Sequence, residues 1–105
     1  MNFIEVCRKV VTDGLLVARP VGGGEFEVRD WTERDVRSEQ DEAEGTDNRD
    51  HSWTFVDGFS AQHVIAVYDG INDENKSKYL AIANANPAKA VSIAFKLFAQ
   101  TSKDN

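Results

Sequence analysis

LLVARPVGGGEFEVRDW, residues 15–31, decides the fold because it places three consecutive glycines between two strand-like runs. The first run, LLVAR, is apolar and is followed by Pro20, which predicts a short strand over residues 15–19 that the proline ends. In the second run Phe26 and Val28 alternate with charged residues, which is typical of a strand with one buried face. The sequence therefore predicts an antiparallel hairpin whose turn lies in the glycines.

Glycines 22–24 also raise the question of a phosphate-binding loop. Such a loop needs its glycines to lead into the N-terminus of a helix, usually with a lysine, serine or threonine close by. Here the glycines lead into a strand that begins with Glu25, so the hairpin is the favoured interpretation.

A helix is predicted before the hairpin and a third strand after it. Residues 2–13 repeat apolar side chains with helical spacing, and Asn2 can cap this helix while Gly14 can stop it. Cys7 lies on the apolar stripe and is expected to be a small core residue rather than a reactive thiol. HSWTFVDG, residues 51–58, alternates its side chains as a strand does.

The C-terminal half predicts helices that begin at capping residues. Ser60 can cap a helix through AQHVIAVYDGI, Asn72 a second through DENKSKYLAIAN, and Asn86 a last one with Pro87 in its first turn. The last helix is apolar around much of its circumference, so either it is central or a second copy covers it in a homodimer. The predicted fold class is α+β: an N-terminal helix, a small antiparallel sheet of about three strands and C-terminal helices.

The 105 residues are expected to form a single domain, residues 1–105, with one unusual segment. The net charge is −6, and TERDVRSEQDEAEGTDNRD at 32–50 contributes −5 of it through eight carboxylates and three arginines. We call residues 32–50 the acidic segment; with hardly an apolar side chain, it is predicted to be a flexible insert. The rest of the chain is nearly neutral, which argues against a nucleic-acid-binding face.

Cysteine content and apolar runs indicate the cellular compartment. A single cysteine excludes an internal disulfide, and the opening MNFIEVCRKVV lacks the basic start and apolar block of a signal peptide. No apolar run approaches the roughly 20 residues that a membrane helix needs. We therefore expect a cytoplasmic protein that does not bind membranes.

Patterns for catalysis and metal binding are weak. His51 and His63 are the only histidines, and neither Ser60 nor Cys7 lies in a nucleophile motif. The two histidines and Cys7 are too far apart in the sequence for a zinc site. The acids around Gly45 do not follow the register of a calcium-binding EF-hand loop. No enzymatic activity, catalytic residue, cofactor or metal site is expected.

Binding is the class of function that remains. A block of negative charge can steer a basic protein partner, although the segment could equally be only a solvated loop. The residues predicted for partner binding are Glu39, Asp41, Glu42, Glu44 and Asp47. Alternatively, a pocket between the sheet and the helices could bind a small ligand. The residues predicted to line it are Trp31, Trp53, Phe55 and Tyr68. Trp31, Trp53 and Tyr68 are also candidate aromatic anchors for a protein partner, although core positions are favoured for them.

The opening MNFIEVCRKVVTDGLLVARP resembles the start of small phage proteins of the Thoeris anti-defence type, which have MNF, a helix, a glycine and a strand ending V-x-R. Here these features are residues 1–3, Gly14 and residues 17–19, and SAQHVIA at 60–66 is similar to the family's serine-led helix. The resemblance implies a non-enzymatic oligomer that sequesters a nucleotide-derived signal. We expect an accessory protein of a phage or mobile element that inhibits a host protein by direct contact, with sequestration of a nucleotide-like signal as the alternative.

Overall fold

The computed structural model describes residues 1–47, 49 and 52–103, with the backbone alone described over 98–103. In chain order the elements are α1 (Phe3–Asp13), β1 (Leu16–Gly22), β2 (Glu25–Asp30), a 3₁₀ turn (Glu33–Asp35), α2 (Glu39–Glu44), β3 (Thr54–Val56), α3 (Gly58–Gly70), α4 (Asp73–Ala85) and α5 (Pro87–Lys103). The predicted α+β class is confirmed, with an N-terminal helix, a three-stranded antiparallel sheet and C-terminal helices.

The sheet has the order β2-β1-β3, so β1 is its central strand. Val17 of β1 lies opposite Arg29 of β2 and Phe55 of β3, and both pairings are antiparallel. Leu16 and Ala18 point to the opposite side, where they join the core formed with the helices. The helices therefore cover one face of the sheet, which we call the inner face, and Val17 lies on the outer face.

The predicted start of the fold is confirmed in detail. The Oδ1 of Asn2 accepts the N–H of Glu5 at 2.9 Å while Glu5 accepts the N–H of Asn2, which is a capping box for α1. Gly14 ends the helix with a positive φ of 94°. The hairpin turns at the glycines, and a Cβ added to Gly24 would lie 3.3 Å from the Nδ2 of Asn84. Close packing as well as a positive φ therefore favours glycine there.

β1 does not end at Pro20 as predicted, since it continues to Gly22. Pro20 lies opposite Phe26 of β2, whereas β3 pairs with β1 at Leu16, Val17 and Ala18. Proline is tolerated where a strand has a neighbour on one side only, because its missing N–H then costs no ladder hydrogen bond. A bulge follows it, between Pro20 and Gly22.

Two boundaries in the second half also differ from the prediction. β3 is Thr54–Val56 rather than 51–58, and His51 lies outside the described residues. α3 begins at Gly58 instead of following a Ser60 cap, because the carboxylate of Asp57 accepts the N–H of Ser60 at 3.0 Å. Aspartate caps a helix as well as serine does.

The caps predicted for the last two helices are confirmed. Asn72 accepts the N–H of Asn75 at 2.9 Å, and Asn86 accepts the N–H of Lys89 at 3.3 Å. α5 contributes small residues to the core, with Ala90 and Ala94 fully buried.

α4 and α5 are tied together by a buried hydrogen bond. The hydroxyl of Tyr79 donates to the carbonyl of Ala90 at 2.8 Å. Phe95 and Leu97 of α5 remain exposed, so α5 is not wholly central, and the Phe98 side chain lies outside the described residues. Within the described residues, no helix has the length and apolar character needed to cross a membrane.

Candidate functional site

Three of the four residues predicted to bind a small ligand lie on the outer face of the sheet. The guanidinium groups of Arg19 and Arg29 lie 4.7 and 4.3 Å from the centre of a Trp53 ring, a cation–π arrangement. The rings of Trp31 and Phe55 lie 6.4 Å apart. We call these five residues the outer-face cluster; Val17, whose side chain projects from the same face, is fully buried.

The four residues predicted to line one pocket between the sheet and the helices are divided between two parts of the molecule. Phe55 lies opposite Val17 in the sheet, and directly opposed residues project from the same face, here the outer one. Tyr68 lies elsewhere, half-buried against the helical core with the Nζ of Lys76 5.6 Å from its ring. The four aromatic residues therefore do not share one pocket.

The acidic segment is attached to the outer face at its beginning. The guanidinium of Arg29 donates to both carboxylate oxygens of Asp35, with N–O distances of 2.8 and 2.9 Å. The N–H of Thr32 donates to the same carboxylate at 2.8 Å. Arg29, with the Thr32 N–H as the second cause, lowers the pKa of Asp35 to about 2. Asp35 is the one buried charged residue in the part of the chain that the structure describes.

Beyond Asp35 the acidic segment forms a short helix. Ser38 caps α2 by accepting the N–H of Asp41 at 3.0 Å, and Gly45 ends it in the left-handed conformation with a φ of 72°. The Nε of Arg37 donates to the carbonyl of Thr46 at 2.6 Å and closes the chain around the helix. The segment lies between β2 and β3 as predicted and has regular structure, while its flexibility stays a prediction.

α2 gathers most of the acids predicted to bind a partner. Glu39, Asp41 and Glu42 lie in its first turn and Glu44 at its end, and the helix contains no basic residue. Asp47 lies beyond the helix and pairs with Arg49, with an N–O distance of 2.7 Å. Four of the five carboxylates thus form one acidic helix, and the charge of the fifth is offset by its neighbour.

A surface that the sequence prediction missed lies where α3 meets α5. The ring of His63 is 4.4 Å from Phe59 and 4.7 Å from Phe95, and the two phenylalanine rings are 5.7 Å apart. We call these three residues the aromatic patch. The Nδ1 of His63 also lies 2.8 Å from the carbonyl oxygen of Phe59. Phe59 is 64% exposed, the highest value among the large exposed hydrophobic residues described.

The signal for the aromatic patch was present in the sequence. Phe59 and His63 are four residues apart, a spacing that brings side chains together on a helix. A cap at Ser60 would leave Phe59 outside α3, and the pair is recognised only once Asp57 is known to cap the helix.

A cleft of about 500 Å³ opens between the inner face of the sheet and the first turns of α3 and α5. The residues that line it are Phe3, Ala18, Pro20, Phe26, Thr54, Phe55, Val56, Asp57, Ser60, Asn86, Pro87, Ala88 and Val91. Of the four residues predicted to bind a ligand, Phe55 is the one that reaches this cleft. Its walls are mainly apolar, and its polar groups come from the ends of β3, α3 and α5.

Reactive groups are sparse in the part of the chain that the structure describes. Cys7 is buried in the core, and this burial raises the pKa of its thiol to about 12, so the thiol is protonated at neutral pH. Within the described residues, no cluster of three or more His, Cys, Asp or Glu side chains could hold a metal ion.

No protein-family model, curated protein or solved structure matches the chain. Its binding properties must therefore be inferred from its own surfaces: the outer-face cluster, the acidic helix, the aromatic patch and the cleft.

Proposed function

We propose that this chain is a non-enzymatic binding protein that contacts a protein partner through the aromatic patch. The observation that carries the proposal is the 64% exposure of Phe59 beside Phe95, in a domain whose Phe3 and Phe26 are buried. Clustered exposed aromatic side chains on a small domain favour association, because their burial against a partner removes apolar surface from water.

α2 has a separate role in this proposal, which is to speed association with a basic partner. Its four carboxylates face solvent or lie half-buried at the surface, and Coulomb attraction acts before any contact forms. Such steering changes the association rate more than the dissociation rate, and salt screens it over roughly 10 Å at 0.1 M. The outer-face cluster is a weaker candidate, since the donors of Arg19 and Arg29 already serve Glu27 and Asp35.

In the same proposal the chain is a cytoplasmic accessory protein of a phage or another mobile element that inhibits a host protein, as in counter-defence. The support for this origin is the resemblance of residues 1–20 and 60–66 to Thoeris anti-defence proteins. The absence of a catalytic motif in the sequence favours inhibition by contact over inhibition by modification.

The homodimer predicted through the last helix would use the same surface. Phe95 belongs to α5 and to the aromatic patch, so a second copy covering α5 would bury that patch. The solution mass separates the two arrangements. A monomer leaves the patch free for a different protein, whereas a dimer that Phe59→Ala dissociates assigns the patch to a second copy.

The test is capture of a host protein, its identification, and reconstitution with the purified partner. Phe59→Ala should weaken binding at least tenfold, because truncating an aromatic residue at the centre of an interface, where binding energy concentrates, costs about 2 kcal/mol or more. Val21→Ala is the matched control, since Val21 is also an exposed apolar residue but lies on the sheet. Equal binding by both variants would remove the aromatic patch from the proposal.

Steering by α2 is tested separately. Replacing Glu39, Glu42 and Glu44 by glutamine should slow association at low salt and leave dissociation nearly unchanged. At high salt the variant and the parent should associate at the same rate. A slower association that persists at high salt would contradict a purely electrostatic role.

Small-ligand binding is the second candidate function, and the cleft is the observation that favours it. Its volume of about 500 Å³ falls within the range of small-molecule sites. It involves a different surface from the aromatic patch, so the two functions can be tested independently.

A further inference from the structure

We infer that the cleft beside β3 binds a neutral, largely apolar small molecule that carries a single hydrogen-bonding group. The inference deepens the second candidate function and needs no contribution from the aromatic patch. It rests on three properties of the cleft: the reason it is open, the chemistry of its walls and its charge balance.

The cleft is open because β3 is short. β3 pairs with β1 at Leu16, Val17 and Ala18, but β1 and β2 continue past this point to the hairpin. Pro20 and Phe26 line the cleft on the inner face of this two-stranded extension, and Ala18 borders it at the last pairing with β3. Pro20 is exposed, whereas Ala18 and Phe26 are largely buried. Apolar sheet surface is thus left between the hairpin and the helices. A ligand that removed it from water would gain roughly 25 cal/mol per Å².

The far wall closes the cleft with more apolar groups. Pro87, Ala88 and Val91 of α5 face it, and Phe3 of α1 lies at its base in contact with Phe26, with ring centres 5.6 Å apart. Aromatic and aliphatic walls of this kind recognise a ring or a short hydrocarbon, because dispersion and burial do not depend on direction.

The polar groups of the cleft come from the start of β3 and from the beginnings of the two helices. Thr54 and Ser60 contribute hydroxyls and Asn86 an amide. Asp57 is ionised at neutral pH, since the N–H of Ser60 that it accepts lowers the pKa of the carboxyl. The positive ends of the α3 and α5 dipoles offset its charge.

This charge balance disfavours phosphate-bearing ligands and favours neutral ones. Of the residues described around the cleft, none is lysine or arginine, so a phosphate would find no cation and would lie near the Asp57 carboxylate. A cation would have to share that carboxylate with the Ser60 N–H. A neutral hydroxyl, carbonyl or amide of a ligand can instead form a hydrogen bond with the hydroxyl of Thr54 or Ser60. Burying such a group does not require a charge to be removed from water.

N-phenyl-1-naphthylamine is a suitable probe, because it is neutral, is mainly apolar, carries one N–H and fluoresces when it leaves water. Titration of the intact chain should saturate at one probe per chain. Ala88→Trp should weaken binding at least tenfold, since Ala88 is exposed at the rim and a bulky side chain there fills the cleft. Ala81→Trp is the control, an exposed alanine on α4 outside the cleft.

NMR places the probe independently of any variant, which keeps the test decisive if Ala88→Trp fails to fold. The probe should shift the amide signals of Thr54, Ser60 and Ala88. Shifts centred on Phe59 and His63, binding without saturation, or equal affinity of the two tryptophan variants would overturn the inference.

Two further experiments distinguish this inference from nucleotide binding and from partner binding at the aromatic patch. ATP should not displace the probe, and displacement by ATP would overturn the assignment of a neutral ligand. Phe59→Ala should bind the probe as the parent does, and Ala88→Trp should bind the protein partner as the parent does. Failure of the ligand site and failure of the partner surface are therefore distinguishable.

Discussion

The guanidinium of Arg29 and the carboxylate of Asp35 face each other through two parallel hydrogen bonds of 2.8 and 2.9 Å. Arg29 also lies over the ring of Trp53, so its side chain contacts one residue that precedes α2 in the chain and one that follows it. The Asp35 side chain is only 3% exposed. A bidentate, charge-assisted pair of this kind fixes geometry as well as contributing energy. The acidic segment is therefore attached at Asp35 to Arg29 on the outer face.

Asp35→Asn should destabilise the fold at pH 7 and have little effect in strong acid. Arg29 lowers the pKa of Asp35 from its usual 3.8 to about 2. A carboxyl with a lowered pKa in the folded state stabilises above its unfolded pKa, and the contribution is lost as the pH falls through about 2. Urea unfolding at pH 7 and at low pH should show the difference between variant and parent shrinking.

Glu33→Gln is the control for this experiment, because Glu33 lies on the same 3₁₀ turn but is exposed. It should change the free energy of unfolding by less than about 0.5 kcal/mol. A destabilisation by Asp35→Asn that is the same at both pH values would show that the ion pair is not its cause.

Val17→Ala should lower the free energy of unfolding by roughly 2 kcal/mol, since it removes two buried carbon groups and leaves a cavity beneath the outer-face cluster. Val21→Ala lies on the same strand, but its side chain is 53% exposed, so it should cost less than about 0.5 kcal/mol. Chemical denaturation of both variants makes the comparison. Equal effects of the two substitutions on the free energy of unfolding would mean that Val17 is not buried beneath the outer-face cluster.

Cys7 should be inert to thiol reagents in the folded protein. It is fully buried, and this burial raises its pKa to about 12. At pH 8 a disulfide reagent should react only as fast as the chain opens, and denaturant should accelerate the reaction strongly. Fast modification of folded protein at the rate of a free thiol would contradict the structure.

Tyr79→Phe should cost about 1 kcal/mol, the typical net value of a hydrogen bond within a protein. It removes the hydroxyl that donates to Ala90 and joins α4 to α5. Burial also raises the pKa of Tyr79 to about 12. Spectroscopic titration should therefore show one tyrosine that ionises near pH 12, and Tyr79→Phe should remove this transition. Tyr68→Phe, at a half-buried position of α3, is the matched control.

Local chemistry explains why much of the fold could be predicted. The capping box of Asn2 and Glu5, the stop at Gly14 and the caps at Asn72 and Asn86 each depend on residues within a few positions. The hairpin likewise needs only the positive φ angles that its glycines adopt.

Tertiary contacts explain where the sequence prediction failed. Pro20 remains in a strand because β3 is too short to reach it. Trp53 and Phe55 lie on the outer face because of their register against β1, which no local pattern reveals. Asp35 looks like any other acid of its segment, yet a partner six residues away makes it the buried one.

The sequence by itself determined the class of the fold, most helix caps, the hairpin and the position of the acidic segment, because these depend on short-range hydrogen bonding and hydrophobic periodicity. The tertiary structure alone decided which surfaces came together: Phe59 with Phe95, Arg29 with Asp35, and the cleft at the end of β3. Those associations join residues on different elements, and their geometry is set by how strands and helices pack rather than by any local pattern.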